Sequence, residues 1–181
     1  MIRYHDYIWD SCVLLNVLAS NRIVEVIRTI EEHTYVCAEV QRESFYLLAD
    51  DGTDDLIEIN LEPHFETGAL RACEVNGPAE AALLVDFSTS VDDGEANTLA
   101  IAISRGWGVA TDDRKARRVF LENNPNTEML VSTSEIMRHW AELANPSDEE
   151  LRETLLRIER QASFIPPKSD PNLEWWTNLT L

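Results

Sequence analysis

Acidic side chains stand in this chain where strand-like runs give way to helix-like ones: Asp10 after Tyr7-Ile8-Trp9, Glu95 within Asp92-Asp93-Gly94-Glu95, and Asp112-Asp113 after Val109-Ala110-Thr111. Glu43 joins them on a helical pattern that follows Thr34-Tyr35-Val36-Cys37. Carboxylates gathered at one cleft suit a hard divalent cation such as Mg²⁺ or Mn²⁺, which prefers oxygen ligands and keeps several of its waters. The chemistry on offer is phosphodiester hydrolysis, in which such an ion activates water and stabilises the leaving oxygen. Each acid also has a plainer use. Asp92 with Glu95 makes a capping-box pattern, Asp10 or Ser11 suits an N-cap, and Asp113 suits the positive end of the helix after it. Chemistry is favoured by the set, because the strongest acidic turns follow or flank strand ends in one frame.

That frame is read from periodicity. Tyr7-Ile8-Trp9 predicts a strand, and Cys12 to Leu18 an apolar helix. Ile23, Val26, Ile27 and Ile30 fall at helical spacing, and Thr34 to Cys37 predicts a second buried strand. A helix is expected from about Ala38 to Leu48, closed by the turn Asp50-Asp51-Gly52-Thr53-Asp54-Asp55, with Ile57 to Leu61 alternating as a strand. Two further helices are expected over 64–73 and 78–87, the second opened by Pro78. Ala96, Leu99, Ala100 and Ile103 fall at helical spacing before Gly106, and Val109-Ala110-Thr111 predicts a short buried strand. Glu128 to Val131 predicts a last strand, and Thr133-Ser134-Glu135 opens a helix to about Leu143. Strands alternating with helices predict an α/β fold: a three-layer α/β/α sandwich around a central parallel sheet. Side chains just past the carboxyl ends of such strands face the ligand crevice, where Asp10 and Asp112 fall. The main domain is expected over 1–144. Residues 145–181 form an extension, with a capping box at Ser147 and Glu150 and a Pro- and Trp-containing tail that docks on the domain or on a partner.

Composition bounds the rest. The chain has 181 residues with 44% hydrophobic side chains, enough for one sizeable core. No apolar run reaches bilayer-spanning length and no leader pattern opens the chain, so no membrane association and a cytoplasmic location are expected. Cys12, Cys37 and Cys73 lack metal-ligand spacing and are expected to be buried thiols; His5, His33, His64 and His139 are scattered and are assigned structural or surface roles. The formal net charge is −18, with 33 acidic and 15 basic residues, which repels nucleic acid unless cations or a local basic strip intervene. Arg105, Arg114, Lys115, Arg117 and Arg118 form such a strip beside Asp112-Asp113. A solvated helix face explains it equally well.

Taken in order, Asp10-Ser11-Cys12-Val13-Leu14-Leu15-Asn16, the segment Val36 to Glu43, Gly94-Glu95-Ala96 with Leu99-Ala100, Ala110-Thr111-Asp112-Asp113-Arg114-Lys115-Ala116-Arg117, and Leu130-Val131-Ser132-Thr133 resemble the motifs of PIN-domain proteins over about residues 4 to 144. The resemblance implies a parallel sheet flanked by helices and a Mg²⁺- or Mn²⁺-dependent ribonuclease acting on single-stranded RNA. It implies Asp10, Glu43, Glu95 and Asp112 as the acidic quartet, with Asp10, Glu95 and Asp112 on the ion and Asp113 an additional ligand or its replacement. Arg114, Lys115, Arg117 and Arg118 are then candidates for RNA contact. It further implies a homodimer, and a toxin–antitoxin setting in which a small antitoxin or other protein is the partner. A catalytically silent PIN-like interaction module is the second expectation; the retained carboxylates favour the enzyme and the net charge favours the module.

Overall fold

The computed structural model describes Ile2 and residues 6–30, 33–43 and 45–181. His5, expected in a structural or surface role, lies outside them. The chain folds as an α/β structure with a five-stranded parallel sheet in the order β5-β2-β1-β6-β7: β1 Tyr7–Trp9, β2 Thr34–Cys37, β5 Arg71–Cys73, β6 Gly108–Ala110 and β7 Leu130–Val131. Tyr7, Ile8 and Trp9 are fully buried, as are Val109 and Ala110, because a parallel strand covered on both faces has no solvent side to make polar.

Helices flank the sheet in two sets distinguished by mutual contact. One comprises α1 Ser11–Ala19, α2 Ile23–Arg28, α8 Thr133–Ala144 and α9 Asp148–Gln161; the other comprises α3 Ala38–Arg42, α5 Gly77–Phe87, α6 Asp93–Arg105 and α7 Arg114–Asn123. The reciprocal box between Asp92 and Glu95 starts α6, and Ser132 with Glu135 starts α8 in the same way, one residue earlier than expected.

Two expected helices are corrected. The pattern over 38–48 breaks after Arg42, where Glu43 is already extended; Phe45–Leu48 is strand β3, paired antiparallel with β4 Leu56–Ile59. Phe45 and Leu47 are buried and Tyr46 between them is exposed, a period of two that overrides the helical spacing of the segment before it. Over 64–73 the short helix α4 Glu62–Glu66 stops before Gly68, whose φ of +72° suits glycine and reverses the chain into β5.

The last residues pack on the chain itself. Leu155 and Ile158 of α9 are fully buried, and α9 touches α1 and β3. Arg157 pairs with Asp50 in the β3–β4 turn. Helix α10, Leu173–Thr180, buries Trp176 completely; its indole N–H donates to Glu159 Oε1 at 2.8 Å and Phe164 packs edge-on at 5.7 Å. Ahead of α10, Asp170 accepts the Ser134 hydroxyl at 2.8 and 2.9 Å, tying the tail to the start of α8.

Candidate active site

From β1 the chain steps outward to β2 and β5 on one side, and it returns to place β6 and β7 on the other. The strand order therefore reverses beside β1, and in an open parallel sheet the crevice at such a switch point is where ligands bind. Asp10 leaves the end of β1 and its N–H donates to Ala110 O of β6 at 3.0 Å, so the two strand ends that carry the acids are stitched together.

Three acids there are helix caps. Asp10 caps α1, Asp92 caps α6 and Asp113 caps α7, each accepting backbone N–H groups of its helix. Capping and clustering are one arrangement: the N-termini of α1, α6 and α7 converge, each brings its acidic cap, and the positive helix ends partly offset the repulsion. Asp10 is nearly inaccessible, at 3% exposure. Its Oδ1 accepts Ser11 N–H at 2.8 Å, and its Oδ2 accepts the Thr111 hydroxyl at 2.8 Å and the Cys12 thiol at 3.2 Å. Burial pushes that thiol up, so it stays protonated and donates. A carboxylate has about four acceptor positions, and Asp10 has three filled by rigid donors.

Glu43, just past α3, reaches α6 from the other side. A methyl group on Gly94 would stand 2.9 Å from Glu43 Oε1, so the carboxylate lies against the first turn of α6 in its present position. Partial burial holds the Glu43 carboxyl above its usual range, and Asp10 and Asp92 add to the rise. Glu95 is pushed up to about 7, first by burial and then by Asp92, Asp113 and Asp10. These couplings place Asp10, Glu43, Asp92, Glu95 and Asp113 within one another's fields. Glu95 Oε2 closes the capping box on Asp92 N–H at 3.3 Å, and Asp113 uses Oδ1 for both of its helix N–H groups.

Asp112 is turned toward another element. Its Oδ1 accepts Thr133 N–H at 3.0 Å; its Oδ2 accepts the Thr133 hydroxyl at 2.6 Å and Asn16 Nδ2 at 3.1 Å. It therefore locks α1, the end of β6 and the start of α8 together, and burial keeps its carboxyl above the ordinary range. Of the four acids in the expected quartet, Asp10 acts on both Glu43 and Glu95, while Asp112 anchors the floor beside them with most of its acceptor capacity in use.

The basic residues also divide. Arg114 and Lys115 are exposed, and among the described residues neither makes an ion pair. Arg117 donates to Thr111 O at 2.9 Å and supports the loop after β6, while Arg118 pairs with Glu122 along α7 at 3.8 Å. Sequence reasoning missed Asn16, Thr111 and Thr133. The available signals were a polar Asn16 at a position flanked by apolar residues in α1, and hydroxyl residues where β6 and β7 end.

Among the described residues no three His, Cys, Asp or Glu side chains stand close enough together to enclose an ion directly. The donor set nevertheless suits a hard cation. Mg²⁺ and Mn²⁺ need only one or two protein carboxylates with water and substrate phosphate, and the strongest charges acting on Glu95 are all negative. Two of the histidines are engaged elsewhere: His33 bonds to Asp6 at 2.9 Å and His139 to Thr29 O at 3.0 Å. Among the described residues no helix is long and apolar enough to cross a membrane. No family model matches the chain, and no curated protein or solved structure matches it either.

Proposed function

We propose that this chain is a divalent-cation-dependent endoribonuclease of the PIN-like kind, with residues 1–144 as its nuclease domain and 145–181 as an extension packed on it. The observation that carries this reading is the convergence of the acidic caps Asp10, Asp92 and Asp113 at the switch point of the sheet, where burial and these carboxylates hold Glu95 above its usual range and burial, Asp10 and Asp92 do the same to Glu43. One or two of Asp10, Glu95 and Asp113 would bind Mg²⁺ or Mn²⁺ directly, with water filling the rest of its shell, Glu43 adding to the acidic surroundings and Asp112 placed to contribute its remaining acceptor position. When bound, the ion supplies neutralisation of the phosphodiester and acidification of a water.

The chain's own residues do the remaining work. Ser11 N–H, Thr111 and Cys12 fix Asp10, and Asn16 and Thr133 fix Asp112, so the acids are oriented before substrate arrives. Glu95, with a carboxyl near 7 and Oε1 outside the capping box, holds a proton below neutral pH that a bound cation would displace. Arg114 and Lys115 meet the RNA backbone on the exposed first turn of α7. The resemblance extends the proposal to a homodimer in a cytoplasmic toxin–antitoxin pair. A catalytically silent PIN-like interaction module is the second reading, favoured by the net charge of −18.

The test is cleavage of single-stranded RNA by purified protein with Mn²⁺ or Mg²⁺, alongside chelator, Asp10→Asn and Glu95→Gln. Cleavage is expected to require the cation and to fall at least roughly 100-fold in each variant, on the scale of losing a main electrostatic contributor to catalysis. Equal cleavage by wild type and variants would place the activity elsewhere. Absence of both cleavage and cation binding would favour the silent module.

A further inference from the structure

A groove of about 980 Å³ lies between the outer edge of β5 and the β3–β4 hairpin. Its apolar lining is Phe45, Ile59, Leu61, Phe65 and Leu70. Glu43, Glu58, Glu62 and Glu66 also line it, with Arg71 the one cationic residue among them. Among the described residues none of these four glutamates makes an ion pair. Two strand edges flank the groove. Among the described residues β5 pairs only with β2, and β4 only with β3, so Arg71-Ala72 and Glu58-Ile59 contribute edge strands to its walls. An unpaired edge offers a row of N–H and C=O groups to any extended chain that reaches it.

We infer that this groove is a docking site for an extended, positively charged segment of a protein partner, added as a strand beside β5. Main-chain hydrogen bonds to the free edge would supply affinity, and alternate side chains would divide between the apolar floor and the glutamate rim. A period of two presents one side-chain set to the floor and the other to the rim, so the fitting sequence alternates apolar with Lys or Arg. Charge complementarity selects this occupant. A second copy of the chain would bring like charge against the rim, and RNA would bring phosphate against it. The inference stands on the groove alone and does not depend on catalysis at Asp10.

The experiment is fluorescence anisotropy with the full chain and a fluorescein-labelled short peptide alternating arginine with valine. Glu58→Lys/Glu62→Lys reverses the rim, and Asp86→Lys/Glu149→Lys makes the same change in net charge at exposed sites on α5 and α9 that do not line the groove. All four positions are exposed, and circular dichroism checks that both variants keep the fold. Rim reversal is expected to weaken binding roughly ten-fold or more, against less than about two-fold for the distant pair. A peptide with proline at alternate valine positions is expected to lose binding too, because proline cannot donate to a strand edge. Equal losses in the two double variants would show attraction to net charge and overturn the inference, as would undiminished binding of the proline peptide. Sedimentation velocity and an RNA titration cover the other occupants: a dimer abolished by rim reversal, or RNA that binds the native groove and competes with the peptide, would also overturn it.

Discussion

Asp112→Ala is expected to lower stability by about 2–4 kcal/mol, because hydrogen bonds to a charged acceptor vanish and buried donors lose their partner. Thr133 N–H and Asn16 Nδ2 both point at this carboxylate, and Thr133 fills its remaining contact through the hydroxyl. Release from desolvation returns part of the loss, since burial already holds Asp112 above the ordinary carboxylate range. For a chain of this size the melting temperature should fall by roughly 5–15 °C. Thr133→Val keeps the shape and the backbone donor but removes the hydroxyl, and it is expected to cost about 1 kcal/mol. If the nuclease reading holds, the same valine should lower cation affinity or cleavage roughly 10–100-fold, the usual penalty for losing a group that orients a ligand. Thr133→Ser should recover most of both. Thermal melts and cleavage rates on the same preparations check the pair; an Asp112→Ala variant that melts with wild type would remove Asp112 as the bolt between β6 and α8.

Trp176→Ala should destabilise the chain by about 3–5 kcal/mol, the range for truncating a large buried aromatic. Trp176 is fully buried, touches Phe164 edge-on and donates its indole proton to Glu159. Its removal leaves α10 with no other fully buried side chain, so the melting temperature should fall by roughly 10 °C or more and proteolysis should begin in the tail. Trp176→Phe, which fills most of the space but loses the donor, should cost roughly 1–2 kcal/mol. Calorimetric melting and limited proteolysis decide it. A Trp176→Ala chain with unchanged melting and an intact, protected tail would show that residues 162–181 hold on by their other contacts, among them Asp170 with Ser134, Asn172 with Arg138 and Arg152 with Leu181 O.

Much of this was legible in the sequence because local rules and tertiary structure agree where the acids lie. The strand Tyr7-Ile8-Trp9, the box Asp92/Glu95, the left-handed Gly106 that ends α6 and the buried Val109-Ala110 all have short-range signals, and together they deliver Asp10, Glu95 and Asp112 to the crevice. Of the β3–β4 hairpin only the second strand was legible, as the alternation from Ile57; the first was not. Phe45 to Leu48 satisfies a helical pattern continued from Ala38, and only burial of alternate residues against α1 and α9 decides for strand. Edge strand β5 escaped for the same reason: three residues carry little periodicity, and their pairing with β2 is a long-range event. At the site, sequence proximity grouped Asp112 with Asp113, yet the backbone turns them apart. Asp113 folds back on α7 while Asp112 faces Thr133, a partner 21 residues on, and no local pattern encodes that choice.

The central claim is that Asp10 and Glu95 build a cation site, and the most direct measurement is a Mn²⁺ titration followed by electron paramagnetic resonance, which reads free aqueous Mn²⁺. At pH 8 wild type should deplete the free signal with saturable, near-stoichiometric binding, and Asp10→Asn/Glu95→Gln should weaken that binding at least roughly ten-fold. Glu95 holds its proton up to about 7, and the cation competes with that proton, so binding should weaken as pH falls from 8 toward 5.5. A double variant that depletes Mn²⁺ as fully as wild type would show only diffuse attraction to a surface of net charge −18, and would contradict the site.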